Sequence, residues 1–205
     1  MDKDLRKSLI LNILIIIFEV LGITIYIMNN SNFDFSYYTH DSNVLALISS
    51  SIYVYYLVRK KNIPKFVSIL KYASTVALSI TFVVVLFVLL PMSNFNFSKL
   101  LFTGAMPYFH ILCPILCFIS YILYEKHCID TLKDVLRGFY YTITYTLVLI
   151  ILNVLSIVDG PYPFLRVRSN SLLYSLFYFI IISMASISLG IIINRLNKRN
   201  NTKCE

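Results

Sequence analysis

The chain has 205 residues, of which 58% are hydrophobic and 14% charged, with a formal net charge of +8. So little polar surface excludes an ordinary soluble domain, which needs a polar shell around its core. The positive charge lies at the chain ends and in alternate loops, which points to a bilayer and away from nucleic acid.

The apolar residues fall in six runs, at about 8–28, 40–58, 66–90, 104–123, 138–158 and 171–194. Each is about 20 residues long, enough to cross roughly 30 Å of hydrocarbon at about 1.5 Å per residue. The pattern predicts an all-α protein: one integral membrane domain over residues 1–205, a bundle of six transmembrane helices joined by short loops. In lipid every backbone group must be satisfied internally, and unbroken runs such as SITFVVVLFVLL do not alternate as barrel strands do.

The first run follows Lys3, Arg6 and Lys7, as a signal peptide would. Its apolar stretch is too long for such a segment, and no small-residue cleavage site follows, so it reads as a retained anchor. It carries Asn12 and, near its middle, Glu19. A charged Glu19 facing lipid would cost about 2.5–3.5 kcal/mol, so it is expected to face inward. There it either hydrogen-bonds another helix or handles a proton or ligand.

The second run opens with FSYYTHDSNVL (residues 35–45), in which Thr39, His40, Asp41, Ser42 and Asn43 are consecutive polar residues. Thr, Asp, Ser and Asn all serve as helix N-caps. A threonine hydroxyl is also a nucleophile once a neighbouring base takes its proton. Asp41, Ser42 and Asn43 could then orient the base or donate to an oxyanion. In the third run, Lys71 is close enough to an end to snorkel into the interface.

The fourth run contains AMPYFHILCPIL (residues 105–116), with His110 between Pro107 and Pro114. Pro114 has no N–H to give the His110 carbonyl, so a kink is expected there. The chain enters the second and fourth runs from the same side, with His110 about 9 Å below the start of the fourth. Imidazole is the side chain best suited to deprotonate Thr39 near neutral pH. The fifth run holds Asn153, and the loop after it reads DGPYPFLRV (residues 159–167), where glycine and two prolines favour a turn.

Termini and alternate loops carry 15 of the lysines and arginines, against Lys99, Arg166 and Arg168 on the other side. That asymmetry places both termini in the cytoplasm, in a plasma or inner membrane, and suits an even number of spans. Cys113 and Cys117 lie four apart on one helix and Cys128 and Cys204 on the cytoplasmic side. No spacing suggests disulfides, zinc or another cofactor, so the cysteines read as buried structural thiols.

FSYYTHDSNVL resembles the aromatic-Thr and Ser-Asn segment of bacterial Pr-six-Pr membrane proteins. FHILCPIL is similar to that family's His-x-x-x-Pro helix, and DGPYPFLRV to its Pro-Tyr-Pro-Phe-Leu loop. The three pieces occur in the family's order and span nearly the whole chain. The family is distantly similar to the androgen-induced and androgen-dependent multi-pass hydrolases, which cleave fatty-acid esters of hydroxy fatty acids with one threonine and one histidine. The resemblance implies Thr39 as nucleophile and His110 as base in hydrolysis of a lipid ester within the membrane. His40 and Asp41 depart from the pattern, which leaves His40 as a second candidate base.

With a lipid substrate, Tyr37, Tyr38 and Tyr108 could hold its polar part beside Asn43, or they form an aromatic belt at the interface. Asp159, Arg166 and Arg168 could cover the site or bind a carboxylate headgroup. The expected partners are the bilayer and its lipids, with no nucleic acid. Two other readings stand: a small transporter or channel with Glu19, His110 and Asn153 along a polar path, and a non-catalytic membrane partner protein. The absence of internal repeats and glycine-broken helices weighs against transport, and five glycines leave little scope for GxxxG packing.

Overall fold

The computed structural model describes residues 3–126, 129 and 131–201; Cys128 and Cys204 lie outside them. The described residues are all-helical, without a strand. Six long helices follow one another: α1 (Lys3–Asn30), α2 (Tyr38–Val58), α3 (Lys65–Met92), α4 (Tyr108–Tyr124), α5 (Leu132–Val154) and α6 (Leu172–Asn201). Short π and 3-10 turns occur at Ser98–Phe102 and Pro163–Leu165. Helices α1, α3, α5 and α6 are long and apolar enough to cross a membrane, which marks the chain as membrane-associated.

Each expected run coincides with a helix, but the ends shift. Helix α5 stops at Val154 instead of 158, where Ser156 takes a left-handed φ of 63°. Helix α6 continues past the apolar run to Asn201, with Lys198 and Arg199 in its last turn.

Helix α3 is the centre of the bundle and packs against α2, α4, α5 and α6. Its sequence explains why. Small residues at Ser68, Ala73, Ser74 and Ala77 are buried and let neighbouring backbones come close. Its hydroxyls return to their own helix, as Thr75 does to the Lys71 carbonyl at 2.8 Å and Ser79 to the Thr75 carbonyl at 2.7 Å. The Tyr72 ring fills the space left by two glycines. A Cβ at Gly138 would lie 2.6 Å from Tyr72 Cε1, and one at Gly190 2.7 Å from its hydroxyl. The scarce glycines thus seat a ring where a GxxxG pair would seat a helix.

Both prolines inside helices are preceded by a π turn, Val85–Leu89 before Pro91 and Tyr108–Leu112 before Pro114. The proline ring clashes with the carbonyl four residues earlier and cannot donate to it, so the ladder widens by one residue. The kink expected at His110 is this widened turn.

Contacts at one end of the bundle give the helix directions. The Lys7 ammonium lies 4.9 Å over the Tyr124 ring, Lys65 pairs with Asp134 at 2.8 Å, and Asn197 donates to the Glu125 carbonyl at 2.9 Å. The starts of α1, α3 and α5 therefore meet the ends of α4 and α6. The starts of α2 and α4 and the loop at 155–171 lie at the opposite end.

Candidate active site

The polar cluster at the start of α2 does not cap the helix. The N-cap position is Tyr37, whose side chain makes no capping bond. The first N–H groups of a helix still need acceptors, and one comes from far along the chain. The Tyr162 hydroxyl accepts from the Thr39 N–H at 3.4 Å and lies 3.5 Å from the Thr39 hydroxyl. The cap expected from neighbours in sequence is supplied by the loop before α6.

That loop is more than a turn, because Tyr162, Phe164 and Leu165 are buried. Tyr162 stacks on Phe164 with ring centroids 5.3 Å apart, and Phe164 stacks in turn on Tyr178 of α6 at 5.3 Å. Burial pushes the Tyr162 phenol up to about 12. It therefore keeps its proton at neutral pH and can both accept from the Thr39 amide and donate.

The rest of the cluster turns inward. Ser42 meets Thr81 of α3 at 2.9 Å. Asn43 donates to the Thr39 carbonyl at 2.6 Å and reaches the Phe109 carbonyl at 3.4 Å, tying the first turn of α2 to the π turn of α4. Its Oδ1 is buried and without a hydrogen-bond partner among the described residues.

Thr39 lines a small, mostly apolar chamber of about 40 Å³ together with Thr81, Val85, Thr142, Tyr145 and Tyr162. That volume suits a water or two and no acyl chain. Tyr38 closes one wall, its hydroxyl 2.8 Å from that of Thr142 and its ring packed edge-on to Tyr145 at 5.0 Å.

His110 is buried within the π turn. Its Nδ1 lies 2.6 Å from the Leu100 carbonyl. A carbonyl only accepts, so this contact assigns the proton to Nδ1 and leaves Nε2 as the basic nitrogen. His40 is held the same way, with Nδ1 2.5 Å from the Asp34 carbonyl. Its ring is boxed by Tyr26, Phe33, Tyr37 and Phe109, with centroids 4.2 to 5.7 Å away. Among the described residues no hydrogen bond joins Thr39 to either histidine; Asn43 is the link on the His110 side.

The remaining candidates are scattered. Tyr108 packs on Phe18 at 5.9 Å and does not line the chamber. Asp159 and Arg166 are exposed, and Arg166 donates from Nε to the Gly160 carbonyl at 2.9 Å. Asn153 fastens the same loop, donating to the Val158 carbonyl at 3.1 Å and accepting from the Arg168 N–H at 3.3 Å. Among the described residues no group of three or more His, Cys, Asp or Glu side chains is placed to hold a metal ion.

Toward the opposite end lies a cluster that the sequence did not reveal. Lys71 is fully buried and does not snorkel. Its ammonium donates to Asn12 Oδ1 at 2.8 Å and to Ser50 at 3.2 Å, and stands 3.5 Å from Glu125 Oε1. Glu125 in turn accepts from Asn12 at 2.8 Å and from Ser120 at 2.6 Å. The signal was present only as Glu125 at the end of an apolar run, where a charge usually marks the water boundary. Glu19 is likewise buried, beside Cys113. Its carboxyl meets the Cys113 thiol of α4, so it faces another helix as expected.

Comparisons with family models, with curated proteins and with solved structures find no match to this chain.

Proposed function

We propose that this chain is a six-span integral membrane protein, both termini cytoplasmic, that hydrolyses lipid esters with Thr39 as nucleophile and His110 as base. The alternation of helix directions and the division of basic residues, 14 to 3 once the buried Lys71 is set aside from the 15, support the topology. The likeness to Pr-six-Pr proteins and the multi-pass Thr/His hydrolases supplies the reaction class.

One observation carries the site: His110 has its Nδ1 proton committed to Leu100, and Asn43 ties its segment to the turn that bears Thr39. The free Nε2 is then the atom that takes a proton. Thr39 Oγ1 bonds to the ester carbonyl carbon as its proton passes to His110 Nε2. The alkoxide leaves with that proton; water then gives a proton to His110 Nε2 as it bonds to the acyl carbon, the bond from that carbon to Thr39 Oγ1 breaks, and His110 returns the proton to Oγ1 as the acid is released. The Tyr162 hydroxyl, beside Thr39, is placed to donate to the oxyanion. Because the chamber is small, substrate binding must move its walls and bring His110 to Thr39.

The test is ester turnover by the purified full chain in lipid, with Thr39→Ala and His110→Ala. Loss of turnover and of acyl-enzyme labelling in both variants supports the pairing. Full activity in either one overturns it.

A further inference from the structure

Beside the Thr39 chamber lies a larger cavity, and one side chain borders both. Tyr145 lines the chamber and also a groove of about 530 Å³ between the α1–α2 loop and α5. Its hydroxyl donates to the Ser36 carbonyl at 2.5 Å, which holds it against that loop. The groove has an acidic head, with Asp34 and Asp41, and an apolar tail that descends α5 along Val148 and Leu152. Val148 is exposed on the bundle surface, so the tail opens sideways.

Among the described residues no cation pairs with the charge of the head. Asp41 is half-buried, and among the described residues its carboxylate has no hydrogen bond or ion pair. Asp34 is near enough for its charge to act on Asp41, and its carboxylate accepts from the Ser36 N–H at 2.8 Å. Among the described residues no lysine or arginine lines the groove, while Tyr141 and Tyr145 add aromatic rings. Two like charges at partial burial repel, and a cation between them relieves both. Aromatic rings attract ammonium groups in the same way. Arg166, the residue expected to meet a carboxylate headgroup, donates from Nε to the Gly160 carbonyl and does not line the groove.

We infer that this groove seats a membrane amphiphile with an ammonium-bearing headgroup, its head at Asp34 and Asp41 and its acyl chain along α5. Tyr145 is then the wall that must move for the bound lipid to reach Thr39. The last step rests on the hydrolase reading; the seat does not.

Native mass spectrometry of the full chain in detergent tests this, with phosphatidylethanolamine, phosphatidylcholine and phosphatidylglycerol of identical chains. The two ammonium lipids are expected to be retained about three- to tenfold better than phosphatidylglycerol, the weight of one or two partly exposed charge contacts. The Asp34→Asn/Asp41→Asn variant should lose that preference, and Asp41→Lys should reverse it. Equal retention of the three lipids by the unaltered protein overturns the inference without recourse to any variant. So does an unchanged preference in the double variant. Thr39→Ala should bind with the unaltered preference, so a failure of ester turnover and a failure of the groove are read separately.

Discussion

The Tyr162 hydroxyl stands 3.4 Å from the Thr39 amide nitrogen and 3.5 Å from the Thr39 hydroxyl, across 123 residues of sequence. One phenol thus closes the open start of α2 and touches the proposed nucleophile. In the proposed hydrolase the same group would serve both stability and reactivity, and the two can be separated by substitution.

Tyr162→Phe keeps the ring stacked on Phe164 and removes only the hydroxyl. The Thr39 N–H then loses its acceptor, and the protein should lose about 1–3 kcal/mol, the cost of a buried donor left unmade. Denaturant unfolding in mild detergent measures the loss. Turnover should fall further than Thr39→Ser lowers it, since a serine keeps both the nucleophilic oxygen and the bond to Tyr162.

The same phenol sets an alkaline limit. Its folded value, raised by burial to about 12 from 10.0, means that the folded state holds the proton more tightly than the unfolded chain. The stabilisation is complete below pH 10 and is lost as pH rises through about 12. Thermal melts across that window should show the loss in the unaltered protein and a smaller one in Tyr162→Phe.

Lys71 and Glu125 hold each other inside the bundle, and their removal should not be additive. Lys71→Met alone leaves a buried carboxylate, and Glu125→Gln alone a buried ammonium. Each is expected to cost about 3–5 kcal/mol, whereas the double variant should cost far less than their sum. Additive losses in a double-mutant cycle would show that the pair does not interact.

Gly138→Ala and Gly190→Ala each place a methyl within 2.6–2.7 Å of the Tyr72 ring or hydroxyl. Overpacking of this kind costs about 1–3 kcal/mol. Tyr72→Leu should relieve both variants, which thermal melting in detergent can establish.

Much of the architecture was readable in the sequence because a bilayer imposes one-dimensional rules. Runs of about 20 apolar residues must be helices there, and each of the six runs is a helix. The π turns were half legible: Pro114 announced a broken ladder at His110, but whether it bends or widens depends on what packs around it. Cys113 and Cys117 are buried thiols, as their place in an apolar helix implied.

The polar residues were harder, because a side chain's meaning depends on its partner and partners are distant. Thr39 to Asn43 looked like a local cap, yet the cap is Tyr162, and Ser42 and Asn43 bind other helices. Lys71 looked able to reach water, yet it faces Glu125 and Asn12. Glu125 gave only an ambiguous signal, since a carboxylate at a helix end is ordinary until a buried ammonium is found beside it.

Composition and hydropathy alone thus determined that this chain is helical, where its helices lie and that they suit a membrane, because hydrogen bonding and hydrophobic burial act on each segment by itself. Only the tertiary structure decided that α3 is central, that Tyr162 meets Thr39, and that a lysine and a glutamate share the interior. Those are relations between segments far apart in sequence. They follow from which faces pack together, and no single segment contains that information.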